Sequence, residues 1–179
     1  MGLRRPREPV GFAILLSLVV FACGGCATSP LKTARQDFYR GDYRKAAALL
    51  EADSSNQQDR VMVLMERGMV QQARGDYAGS IQDWRDAAQQ AEQLDYYSLS
   101  RGTASYVVND QVLAFRGAPY ERTLLHAFAA KSYMAMGMWD DAAVEARNII
   151  YRLEHLYGFP DDPYSHYLAG VCLEMVNAL

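Results

Sequence analysis

Few side chains in this sequence stand at spacings that support chemistry. Cys23 and Cys26 form a Cys-x-x-Cys pair, a spacing used for thiol exchange or zinc. No second pair and no βαβ pattern accompany it. Cys172 lies between Leu168, Val171, Met175 and Val176, the setting of a small buried apolar residue rather than of a nucleophile. None of His126, His155 and His166 has a ligand partner three or four residues further on, so no metal site is expected. The carboxylates left for acid-base work are Asp110, Glu121 and Glu145. Glu145 and Arg147 are two apart and do not face each other on a helix; a lock onto Glu121 and Arg122 is favoured over a solvated face. Asp140-Asp141 and Asp161-Asp162 stand at expected helix starts, where carboxylates satisfy free amides and the positive end of the helix dipole. No phosphate loop and no nucleophile elbow occur. Neither an enzyme nor a bound cofactor is expected.

The cysteine pair gains meaning from the residues before it. Arg4, Arg5 and Arg7 lead into an apolar run from Val10 to Ala22 and then into Cys-Gly-Gly-Cys-Ala-Thr-Ser-Pro. A basic start, a short apolar run and a small-residue cleavage zone are the parts of an export signal. Thirteen helical residues reach about 20 Å, short of a hydrocarbon core of about 30 Å, so this is no spanning helix. The junction resembles a bacterial lipobox, in which the peptidase cuts before a cysteine that first receives a diacylglycerol thioether. Cys26 comes after Gly25, the favoured residue at the cut, and precedes Ala27; Cys23 is the alternative, with bulky Phe21 where a small residue is usual. Arg4-Arg5 lacks the apolar residues of a twin-arginine signal, and Met1-Gly2 lacks the Ser or Thr at position six of a myristoylation site.

The resemblance implies a signal peptide over residues 1–25, a lipidated tether over 26–30, and an anchor of several acyl chains that does not let go. The residue after the cysteine is not Asp, which by the same resemblance implies the outer membrane, with the protein facing the periplasm. Beyond residue 25 the chain carries 15 basic and 20 acidic residues, a net charge of −5. That balance argues against nucleic acid, whose binding rests on basic side chains. A lipidated Cys26 leaves Cys172 without a disulfide partner, so the domain has to live on its hydrophobic core.

Beyond residue 30 the chain has the pattern of helices. Between Leu31 and Leu94 there is no proline, and Ala, Leu, Gln, Glu and Arg dominate, all good helix formers. Punctuation comes from Gly41-Asp42-Tyr43 with Ala46, Gly75-Asp76-Tyr77 with Ser80, and Gly137-Met138-Trp139 with Ala142. The first two glycines are 34 residues apart. This pattern resembles the tetratricopeptide repeat, a helix–turn–helix unit of about 34 residues. The glycine ends the first helix by entering the left-handed conformation, the Asp caps the second, and the small residue lets the two approach.

An all-α domain over 31–179 is therefore expected. The resemblance implies a short right-handed solenoid with units at about 28–53, 61–94 and 123–156 and a partial fourth at 163–179. In the second unit Gly68, Trp84 and Ala87 fit the repeat, whereas Arg67 and Gln71 fall where such repeats bury residues. Residues 95–119 form an insertion, with Ser98 to Ser105 read as loop and Ala118-Pro119 as the next helix start. Tyr120-Glu121-Arg122 and Ala142 to Arg147 resemble a family of repeat-bearing bacterial lipoproteins, which implies fold and location but no activity.

The remaining functional surface is one for peptide. Met62, Met65 and Met69 fall at helical spacing on the first helix of unit two, and Tyr164 and Tyr167 on the last helix. Each set reads as core packing first and as a partner groove second. The expectation is a binding scaffold for a protein or peptide partner in envelope assembly, secretion or cell-wall processes; the alternative is a wall-acting hydrolase using Asp110, Glu121 and Glu145. The fourth unit reaches Asn177 where a turn glycine belongs, leaving Leu168, Val171, Cys172, Met175 and Val176 over a wide face. A longer natural product, or a partner supplying the next helix, is the expectation from that face.

Overall fold

The computed structural model describes residues 29–52, 59–101, 115–155 and 162–178. Among these residues the structure is entirely helical: α1 Pro30–Tyr39, α2 Tyr43–Ala52, α3 Arg60–Ala73, α4 Tyr77–Arg101, α5 Pro119–Ala135, α6 Trp139–His155 and α7 Pro163–Ala178. The signal segment with Cys23 and Cys26, and the acid Asp110, lie outside the described residues. No helix among the described residues is long and apolar enough to cross a membrane.

Three of the connections are the same turn. Gly41, Gly75 and Gly137 have φ of +81°, +84° and +72°, the region where only glycine escapes a Cβ clash. Around each, two crossed bonds close the preceding helix. The Gly41 amide donates to Phe38 O (3.0 Å) and the Asp42 amide to Asp37 O (2.9 Å); Gly75 and Asp76, then Gly137 and Met138, repeat the pattern on Gln72, Gln71, Met134 and Tyr133. This is the Schellman arrangement, which satisfies the last carbonyls of a helix. Five residues after each glycine comes a fully buried small side chain: Ala46, Ser80 or Ala142.

The core runs along the chain of helices instead of gathering at one centre. Leu31, Ala34, Ala46, Ala47, Leu50, Val63 and Val70 join α1, α2 and α3. Val61, Leu64, Trp84, Ala87, Leu125 and Ala129 join α3, α4 and α5. Ile81, Ala130, Tyr133, Ala146, Ile149, Leu168 and Cys172 join α4 to α7. Thus α3 and α5 each bury residues in two clusters, and each helix packs on its sequence neighbours. The odd-numbered helices also touch in succession, α1 on α3, α3 on α5 and α5 on α7.

One local expectation changes. The helix expected to give way to loop at Ser98 continues through Arg101. Before that extension, Asp95 pairs with Arg116 (3.4 Å) and with Arg122, and Glu92 with Arg152 (2.7 Å). The next helix begins at Pro119, as Ala118-Pro119 mark it in the sequence. Proline suits that first position because its missing N–H has no intrahelical acceptor there. The Glu121 carboxylate accepts the Ala118 amide at 2.7 Å, so this acid caps its own helix.

Candidate functional site

A cavity of about 450 Å³ opens between α4, α5 and α6. From α4 it takes Gln82, Trp84, Arg85, Asp86, Ala88, Gln89 and Glu92; from α5 Leu125, His126 and Ala129; from α6 Glu145 and Asn148. Among them Gln82, Arg85, Gln89 and Glu92 recur every three or four residues, the spacing that puts side chains on one helix face. Leu125 and Trp84 are buried in the core beneath, so the cavity has an apolar base and a polar wall.

The centre of that wall is a buried pair. His126 and Glu145 are each 8% exposed, and His126 Nδ1 lies 2.7 Å from Glu145 Oε2. A carboxylate only accepts, so Nδ1 carries the proton of this bond. His126 Nε2 is buried and has no hydrogen-bond partner among the described residues. Asn148 Nδ2 approaches the same Glu145 oxygen at 3.4 Å. Burial pushes the Tyr133 phenol on α5 above its usual range.

This pairing corrects the sequence reading of Glu145 and of a solitary His126. Glu145 engages neither Glu121 nor Arg122; it meets His126 across the α5–α6 interface, while Arg147 is exposed. The partners are 19 residues apart, a separation at which only the turn at Gly137 brings them together. Spacing rules for helical pairs reach no further than four residues, so no local signal marked them. Of the acids considered for hydrolysis, Glu145 alone is both described and on the cavity wall.

The other singled-out residues scatter. Met62 and Met65 are half-buried against different clusters, the first and the second, while Met69 is 36% exposed. Tyr164 and Tyr167, on α7, are 46% and 72% exposed. His155 stacks on Tyr151 with ring centres 4.3 Å apart, and His166 is exposed. Cys172 is fully buried, its Sγ 3.5 Å from Met134 Sδ, and burial pushes its thiol pKa up, the direction that makes a thiol unreactive. Leu168 is buried like Cys172, whereas Val171, Met175 and Val176 are half-covered.

A second buried pair joins α3 to α4. Arg67 Nε lies 2.9 Å from both Asp83 oxygens, and its Nη2 also reaches Asp83. Asp83 is 1% exposed and the Arg67 side chain 20%. Burial pushes the Asp83 carboxyl above its ordinary range, against the pull of Arg67. Arg67, a residue the repeat pattern does not expect at a buried position, is thus the counter-charge of a core aspartate. Gln72, one turn on, donates to Phe128 O (2.9 Å) and Ser132 Oγ (2.6 Å) and ties α3 to α5.

No family model matches this chain, and neither does any curated protein or solved structure. The site therefore rests on its own geometry.

Proposed function

We propose that this protein is a lipoprotein of the bacterial outer membrane whose periplasmic domain, built of tetratricopeptide-like repeats, is a binding scaffold for a protein partner. The observation that carries the repeat reading is the threefold Schellman turn with a buried small residue five positions on. The alternating contacts of α1, α3, α5 and α7 support it, since successive first helices stack in such arrays. The anchor rests on the Gly25-Cys26-Ala27 junction. Exposed Met69, Tyr164 and Tyr167 supply adaptable apolar and aromatic contacts of the kind that hold partner helices and peptides. The lipid confines the encounter to a membrane surface and raises the local concentration of partners there.

Photo-crosslinking from position 167 in intact cells, with mass spectrometry of the adducts, tests the scaffold. A recurrent envelope protein among the adducts is the expected result; adduct-free chain, or a chain that fractionates away from the outer membrane, overturns it. The pairing of His126 with Glu145 on a cavity favours a second reading, a wall-acting hydrolase with Glu145 as its acid-base group. Release of soluble fragments from purified sacculi, lost in Glu145→Gln, is its test.

A further inference from the structure

Three turns share one backbone but not one surface. On either side of the positive-φ glycine the first holds Arg40 and Asp42, the second Arg74 and Asp76, and the third Met136 and Met138. The charged flanks are paired: Asp42 with Lys45 and Arg74 with Asp76, each at 3.0 Å, and Arg40 with Asp37 at 3.9 Å. Since the same turn forms with charged flanks, its backbone does not require the two methionines. They are 45% and 38% exposed. Sulfur then continues inward. Met134, two residues before Met136, is half-buried against the cluster that joins α4 to α7. Its Sδ lies 3.5 Å from Sγ of the fully buried Cys172. From solvent to core this corner presents two exposed thioethers, one half-covered thioether and one buried thiol.

We propose that Met136 and Met138 are a sacrificial oxidation site, modified by two-electron oxidants such as hydrogen peroxide or hypochlorous acid before these reach Met134. With hypochlorous acid the thioether lone pair takes the oxygen and the O–Cl bond breaks. Chloride leaves with the electron pair of that bond and the hydroxyl proton goes to solvent, so the sulfur loses two electrons and becomes a sulfoxide. Exposure decides which sulfur is attacked first. A sulfoxide on either flank of Gly137 stands in water, where its polar S–O group is solvated as the charged flanks of the other two turns are. On Met134 the same group enters the apolar cluster of Ile81, Tyr133, Leu168 and Cys172 and disrupts it. Cys172 is covered twice over, by burial and because its thiol holds its proton. Methionine sulfoxide is reduced back enzymatically, so the site can be reset. The proposal is independent of the scaffold reading above.

The test treats the folded full chain with substoichiometric hypochlorous acid and counts sulfoxide at each methionine by peptide mass spectrometry. Met136 and Met138 are expected to be modified at least about fivefold faster than Met134, with the thermal midpoint unchanged while Met134 stays intact. In the double variant Met136→Leu, Met138→Leu, the same oxidant dose is expected to raise Met134 sulfoxide about twofold or more and to lower the midpoint. Met69, on α3 and 36% exposed, controls for scavenging anywhere on the surface: Met69→Leu should leave Met134 oxidation as it was. Should the double variant fail to fold, the two single variants carry the comparison. Equal rates at Met134 and at the turn overturn the proposal; so does an unchanged Met134 in the folded variants, or an equal rise in Met69→Leu.

Discussion

Trp84 lies against the bare backbone of Gly68. A β-carbon built at Gly68 would come within 2.8 Å of Trp84 Cε2 and 2.9 Å of Cδ2, closer than nonbonded carbons approach. The indole also stacks on Phe128, with ring centres 5.3 Å apart and planes 20° from parallel. One glycine on α3 therefore sets where α4 and α5 sit, and with them the floor of the cavity.

Gly68→Ala is expected to destabilise the domain by about 1–3 kcal/mol, because the clamped indole has no room to yield. That outweighs the gain of about 1 kcal/mol in helix propensity. Gly170, on α7, has nothing within 4 Å of its built β-carbon, so Gly170→Ala is expected to stabilise by about 0.5–1 kcal/mol. Urea melts of the two variants check the pair; equal effects of one sign would refute the packing account.

Arg67→Ala leaves the Asp83 carboxylate buried and unmatched, a situation that costs about 3 kcal/mol or more at neutral pH. The sign of its pH dependence comes from the raised Asp83 pKa. The native state holds that proton more tightly than the unfolded chain, so the Asp83 contribution is most favourable below the unfolded pKa. It is lost as pH rises through the higher folded value. Without Arg67 the folded value rises further. The deficit of Arg67→Ala against the parent chain should then shrink as pH falls toward the ordinary carboxylate value of about 4, as read by denaturant midpoints. A deficit constant with pH would contradict this.

Asp162 caps α7, accepting from the amides of Tyr164 (3.2 Å) and Ser165 (3.3 Å) and from the Ser165 hydroxyl. Asp162→Ala is expected to cost about 1 kcal/mol, and Asp162→Asn much less. Because α7 packs on both α5 and α6, hydrogen exchange should show the loss first in α7. Uniform loss across all helices would mean that α7 does not open separately.

Cys26→Ser is expected to abolish labelling by a palmitate analogue in growing cells and to release the protein from the membrane or hold it as precursor. Cys23→Ser should retain the label. Persistent labelling of Cys26→Ser points to Cys23 as the modified residue.

Local chemistry made a good part of this protein legible from residue order. Gly41, Gly75 and Gly137 mark turns because the left-handed conformation is a property of single residues. Pro119 and Asp162 mark helix starts because a cap is settled within one turn. Ala46, Ser80 and Ala142 announce close helix approach because small size is needed wherever backbones meet. Other features depend on which helices come to lie side by side. Whether His126 was solitary or paired, and whether Arg67 faced water or Asp83, depended on partners 19 and 16 residues away. A helix face is written in the sequence; the surface it meets is decided by packing, because burial and charge pairing depend on distances that only the assembled helices establish.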